Sequence, residues 1–173
     1  MAKKERIKKI LVEQILDKAG VPYETIYFPK GMEPDPERME KYGLERHYIY
    51  KTLALTGNVT GPVIGILPID EHLDEKKFAV VSGNKKVNMI PTRDLQKTTG
   101  YVHGANNPVG IWQTKKFPIY IDKTALEQGE ITVSAGEIGR SIRIDAQTLA
   151  DFVQASFADL KTAGLESPAY EWK

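Results

Sequence analysis

Apolar positions recur at helical spacing through the first twenty residues and then switch to period two, and that switch sets the outline of the chain. Ile7, Leu11 and Ile15, with Val12, Leu16 and Ala19, predict the buried stripe of an amphipathic helix that Gly20 ends. Its lysine-rich outer face reads as a solvated face, with RNA phosphates or anionic lipid as the alternative. A strand is expected over residues 22–28, then a Pro- and Gly-rich turn over 29–34. A short helix follows, with Asp35 as its cap and Pro36 in its first position, up to Gly43. Residues 47–55 alternate as a strand, and 63–67 form a second apolar run beside it. Asp74 caps a helix that ends at Gly83, with Leu73 stapled to Phe78. Residues 86–90 predict a strand feeding a helix over 92–99, with Thr92 as N-cap and Gly100 as left-handed terminator.

Further on, residues 117–121 predict a strand and 131–144 a hairpin with Ile131, Val133, Ile142 and Ile144 facing inward. Asp145 caps a last helix that buries Leu149, Phe152 and Val153. Strands alternating with helices and closing on a hairpin predict the α+β class: a curved, mixed, barrel-like sheet with peripheral helices. No repeat or linker interrupts it, so residues 1–160 read as one domain and 161–173 as a tail. Tyr170 and Trp172 of that tail could dock on the body or on a neighbouring subunit.

Three stretches stand out as chemistry rather than packing. The first is the loop of residues 100–110, whose glycines, Asn106, Asn107 and Pro108 cannot be there to fill a core. It is either an ordinary surface turn or a cradle that brings bare N–H groups to a ligand. The second is Lys51. Period two places it with Ile49, Leu53 and Leu55, opposite Tyr48, Tyr50, Thr52 and Ala54, so neither face of its strand is solvated. A lysine there either reaches a pocket, meets a buried carboxylate or snorkels past the sheet edge. The third is the hairpin turn holding Gly136 and Gly139, which by itself needs no function.

Composition narrows the chemistry further. Of 173 residues 41% are hydrophobic and 27% charged, as in a soluble globular protein, and a net charge of +1 gives no global pull toward nucleic acid. With zero cysteines and three scattered histidines, the chain offers no disulfide scaffold, cysteine nucleophile, clustered triad or metal signature. The paired carboxylates near residues 70–75 read as solvated turn and helix-start charges, and Ser134 and Ser141 have no base nearby in sequence. His103 invites a general-base reading, with a surface or phosphate-contacting role as the alternative. The basic N-terminus lacks the apolar core of a signal peptide and no segment is long enough to span a membrane, so a cytoplasmic protein is expected.

Taken in order, Tyr-Lys-Thr-Leu at 50–53, Thr-Gly-Tyr followed by Gly104 and Pro-x-Gly at 99–110, and Val-Ser-x-Gly-x-x-Gly-x-Ser-Ile at 133–142 resemble the YbaK/EbsC family of aminoacyl-tRNA deacylases. The resemblance spans residues 7–160. It implies the YbaK/ProRS-associated fold and an editor of mischarged tRNA, Cys-tRNA(Pro) first and Cys-tRNA(Cys) second. It further implies Lys51 as the essential amine and a pocket for the 3′ aminoacyl end lined by Tyr27, Thr52, Gly104, Ala105, Asn107, Pro108, Ser134, Ala135 and Gly136. Cleavage is then substrate-assisted, the cysteine thiol attacking its own ester, with no cofactor or metal and with prolyl-tRNA synthetase as a partner. Family members often carry Gly-Gly-x-Ser-Pro where this chain has Gly104-Ala105-Asn106-Asn107-Pro108. That departure leaves open the same scaffold tuned to another small amino acid, such as alanine on tRNA(Pro) with water as nucleophile, or a non-catalytic tRNA- or synthetase-binding module.

Overall fold

The computed structural model describes residues 8–28 and 36–162. In chain order the elements are α1 (Leu11–Ala19), β1 (Glu24–Tyr27), α2 (Pro36–Lys41), a single 3-10 turn (Arg46–Tyr48), β2 (Tyr50–Gly57), β3 (Gly61–Pro68), α3 (Glu75–Ser82) and β4 (Val87–Met89). Then come α4 (Thr92–Thr99), α5 (Pro108–Lys115), β5 (Ile119–Asp122), α6 (Thr124–Gln128), β6 (Glu130–Glu137), β7 (Arg140–Asp145), α7 (Ala146–Val153) and β8 (Ser156–Ala158). The α+β class is as expected.

The strands form two sheets. One is antiparallel in the order β1-β7-β6; the other is mixed in the order β4-β2-β3-β5-β8, with β3, β5 and β8 parallel. A lone parallel bridge between Ile49 and Thr132 joins them, so the curved mixed surface is present but is not closed into a barrel. The largest core lies against the inner faces, where Ile131, Val133, Ile142 and Ile144 point inward from the hairpin as their alternation requires. Burying a side chain of this kind is worth roughly 1.5–3 kcal/mol. A second cluster packs Leu55, Val63 and Leu160 around Phe78, and Leu73 meets Phe78 there as the expected staple.

Several expectations needed revision. In α1 the buried positions are Val12, Glu13 and Leu16, while Leu11 is exposed. Of the expected stripe Val12 and Leu16 reach the core and Ile15 packs partly buried against it, while Leu11 and Ala19 are exposed and Glu13 turns inward to Arg140. Pro91, not Thr92, holds the N-cap position of α4, and Thr92 is already helical; Gly100 ends that helix at φ 88° as anticipated. The loop expected over 100–110 stops at Asn107, because Pro108 opens α5. Neither α6 nor β8 was foreseen. Asp35, Ile7, the turn at 29–34 and Tyr170 and Trp172 lie outside the described residues.

Candidate active site

The site begins with a strand that outruns its partners. β4 pairs with β2 only at Leu55–Gly57, and β6 touches the same edge only at the Ile49 bridge. Between these two contacts β2 and β6 diverge, and a cavity of about 590 Å³ opens along residues 49–54. That volume is in the range of pockets that take a small molecule or a nucleotide end. Its other walls come from the loop after β3 (Ile69, His72), the start of α4, the turn before α5 (His103, Gly104) and the hairpin.

Lys51 sits at this opening. Alternation sends it to the face of Leu53 and Leu55, away from Tyr50 and Ala54 in the main core. The residue is only 7% exposed, and its ammonium donates to the carbonyl oxygen of Glu71 at 2.5 Å. Burial lowers its pKa from the ordinary 10.5 to about 8, against the opposing charges of Asp70 and Glu71. The loop that supplies its acceptor is itself held at both ends. Arg46 donates to both carboxylate oxygens of Asp70 at 2.9 and 3.0 Å. On the far side, Asp74 N–H donates to Leu160 and Thr162 N–H to His72.

The glycine loop and the hairpin meet at the opposite wall, where Ser134 Oγ lies 3.5 Å from the carbonyl oxygen of Gly104 and accepts from Gly136 N–H at 3.3 Å. Thr52 and Thr132, both on the cavity wall, bury hydroxyl oxygens that find no partner among the described residues. Such a group costs about 1–3 kcal/mol, and a cavity wall is where a ligand can satisfy it.

Lys51, Thr52, Gly104 and Ser134 thus come to one cavity. Ala105, Asn107, Pro108 and Ala135 are buried behind it. Ala135 follows the inward phase of β6 into the core. Asn107 is the N-cap of α5: its Oδ1 accepts from Gly110 N–H at 2.6 Å and its Nδ2 donates to Ala105 at 3.1 Å. Gly136 packs on Tyr101 and the Asn107 amide. Tyr27 is not on the cavity wall but lies against Arg140, which is, with its ring centroid 5.8 Å from the guanidinium carbon. Asn106, which the sequence puts in the loop but not in the expected lining, and Ser141 also reach the wall, as do His72 and Arg140, which no motif marks. The Asn-Pro pair at 107–108 was the available signal: a helix starting at Pro108 takes Asn107 as its cap and frees Asn106 for the wall.

Fold and site together define a class: an α+β pocket protein whose reactive inventory is a buried amine, hydroxyls, main-chain groups and the side chains of His72, Glu75, His103 and Arg140. Among the described residues no cluster of three or more His, Asp or Glu could hold a metal, and no helix is long and apolar enough to cross a membrane. Residues 35–152 match the aminoacyl-tRNA editing domain. An Enterococcus faecalis protein named "Putative Cys-tRNA(Pro)/Cys-tRNA(Cys) deacylase EbsC" is 36% identical over 164 residues, 94% of this chain and 99% of that one. Among solved structures, "a putative trans-editing enzyme for prolyl tRNA synthetase" superposes with TM-score 0.76 at 23% identity, over 88% of this chain and 95% of that one. A scaffold protein from work on epitope backbone grafting does so at TM-score 0.75 and 25% identity, over 89% of this chain and 96% of that one. The chain belongs to the aminoacyl-tRNA editing domain family, in its YbaK/EbsC branch, and is an aminoacyl-tRNA deacylase.

Proposed function

We propose that this protein is a trans-editing hydrolase that takes the 3′ aminoacyl end of mischarged tRNA into the β2–β6 cavity, with Cys-tRNA(Pro) as its main substrate and Cys-tRNA(Cys) as a second. The observation that carries the reading is the Lys51 ammonium, buried at the cavity and fixed by Glu71. There it would anchor the ribose, the terminal phosphate or the ester carbonyl. The Gly104 turn lies on the cavity, where its N–H would meet the developing oxyanion, with Ala105, Asn107 and Pro108 supporting it from behind; Ser134 forms the opposite lip, backed by Ala135 and Gly136. Tyr27 supports through Arg140.

With a cysteinyl ester the substrate supplies the nucleophile. Its sulfur attacks its own carbonyl carbon, the C–S bond forms, the ester C–O bond breaks, and the ribose oxygen leaves with the thiol proton. A water-based reaction on an alanyl ester is favoured by one observation, that His72 and His103 both line the cavity and either imidazole could take a proton from water. A net charge of +1 gives little global attraction to tRNA. Delivery by prolyl-tRNA synthetase is therefore part of the proposal, as the name of the 23%-identical structural neighbour suggests. The compartment is the cytoplasm, and residues 1–160 act as one domain with 161–173 as a tail.

Hydrolysis of Cys-tRNA(Pro), Ala-tRNA(Pro) and Cys-tRNA(Cys) by the protein and by Lys51→Ala tests this. Rapid, Lys51-dependent loss of the cysteinyl esters supports the leading reading, and preference for the alanyl ester supports the water-based one. Survival of every ester rejects both.

A further inference from the structure

The gap between β2 and β6 leaves one residue of a central strand with main-chain groups that no ladder uses. On the β3 side the carbonyl of Ile49, just ahead of β2, accepts from Ile69 N–H at 2.9 Å, and period two carries that orientation to Lys51 and Leu53. Even-numbered residues turn to the other edge, where the Ala54 carbonyl accepts from Ile90 N–H at 3.1 Å before β4 takes over at Leu55. At the opposite end of the gap the Ile49–Thr132 bridge engages β6. Thr52 stands between these contacts, so its N–H and C=O both face the cavity it lines. Main-chain groups in such a place are almost always paired.

An aminoacyl ester carries an α-ammonium and a carbonyl on one carbon, much as a residue in a strand carries its N–H and C=O. We propose that Thr52 reads the aminoacyl group as a one-residue addition to the edge of β2, its C=O accepting from the α-ammonium and its N–H donating to the ester carbonyl oxygen. This rests on the deacylase reading and gives that site its substrate-recognising backbone. It is sheet-edge recognition in its shortest form. As the carbonyl carbon becomes tetrahedral, its oxygen gains negative charge beside an N–H already fixed in place by the β3 ladder. The contact strengthens in the transition state without reorganisation. Because the pair reads only what every α-amino acid shares, side-chain choice falls to other cavity walls.

Of the two main-chain groups Thr52→Pro removes only the N–H, and the side-chain hydroxyl lost with it is controlled for by Thr52→Ala. Proline is tolerated at an outward-facing edge position, and Lys51 already has the extended backbone that a following proline requires. With charged tRNA as substrate, Thr52→Pro is expected to lose about a hundredfold in kcat. Thr52→Ala keeps both main-chain groups and should lose less than about tenfold. A folded Thr52→Pro with near-normal kcat overturns the proposal, and so does an equal loss in Thr52→Ala. Should Thr52→Pro fail to fold, the unaltered protein decides through titration with 3′-alanylamido-3′-deoxyadenosine. Its Thr52 amide should shift and gain hydrogen-exchange protection, and the propionyl analogue, which lacks the amine, should bind at least about tenfold more weakly. An unmoved Thr52 amide, or equal affinity for the two analogues, overturns it. Failure of the unaltered protein to cleave any aminoacyl-tRNA removes the deacylase reading instead, and the titration still judges Thr52.

Discussion

Arg140 on β7 grips the carboxylate of Glu13 on α1 with two donors, Nη2 to Oε1 at 2.7 Å and Nε to Oε2 at 3.1 Å, and neither side chain reaches solvent appreciably. Thr25 donates to the same carboxylate at 2.6 Å, and Arg140 Nη2 also caps the Lys8 carbonyl at 2.8 Å. The pair ties the first helix to the hairpin end whose Gly139 and Ser141 line the cavity. Breaking one partner strands a buried charge, so Arg140→Met or Glu13→Leu should each cost about 3–5 kcal/mol in chemical denaturation. The double variant, which removes both charges, should recover most of that loss. Equal destabilisation of single and double variants would show that the ion pair itself is not the cause.

The same carboxylate sets an acid limit. Burial pushes the Glu13 pKa up, but hydrogen bonds from Arg140, Thr25 and the Ile10 N–H outweigh it and hold the group below its ordinary value. A depressed folded pKa means stability that is present above the unfolded value near 4.5 and is lost as pH falls through the folded one. Denaturation midpoints measured from pH 6 down to about 3 should fall, and the slope should flatten in the Glu13→Leu/Arg140→Met double variant.

Lys51 predicts behaviour at the other end of the pH scale. If its ammonium anchors the substrate, deacylation should decline above a pKa of about 8, and Lys51→Ala should abolish both the activity and that limb. Between about 8 and the unfolded 10.5 the unfolded chain holds the extra proton, so folding stability should rise with pH across that window. The rise should be absent in Lys51→Met. A pH–rate profile flat to pH 10 would detach the ammonium from the mechanism.

How much of this was legible without coordinates depends on whether the information was local. The inward phase of Lys51 and of the hairpin isoleucines followed from period two, and the caps at Asp74 and Asp145 from residue type; both side chains do accept from their helix N–H groups. The turn of α1 was not legible, because a glutamate at position 13 reads as exposed until Arg140, 127 positions away, is known to face it. The division of the pocket residues failed for a related reason. Asn106 and Asn107 are the same residue type, and they differ only through Pro108, whose place at the start of α5 makes Asn107 the cap and leaves Asn106 to face the cavity. The open edge at Thr52 depends on where β4 and β6 stop pairing, and no residue of β2 announces that.

The structure also revises what Asn107 can report. Its amide is fully buried and spans from the Ala105 carbonyl to the Gly110 N–H, so Asn107→Ala should cost about 1–2 kcal/mol as a lost cap before it alters selectivity. Gly110 is constrained more severely: a Cβ there would lie 1.9 Å from the Tyr101 hydroxyl oxygen and 2.6 Å from its ring carbon. Gly110→Ala should therefore destabilise by about 1–3 kcal/mol or more, and Gly110→Ala/Tyr101→Phe should regain part of it. Thermal unfolding of the four proteins checks both statements.

Lys77 offers a test in which stability and activity should separate. Its ammonium donates to Asp159 and to the Lys161 carbonyl, each at 2.9 Å, and so pins the last described segment beside the loop that carries His72 and the Lys51 acceptor. The side chains are partly exposed, and an ion pair screened by solvent in this way adds little to folding. Lys77→Met should accordingly leave the unfolding midpoint almost unchanged. The same change removes the tie to the Lys161 carbonyl, next to the Leu73–Lys161 bridge that flanks the loop whose Glu71 carbonyl fixes Lys51. A misplacement of about an ångström in a catalytic group can cost roughly a hundredfold in rate. Lys77→Met should thus lower kcat and shift the alkaline limb of the pH profile while Asp159→Asn, which keeps a polar acceptor for Lys77, does so less. Loss of stability without change in kcat would make this contact a fastening of the chain end and nothing more.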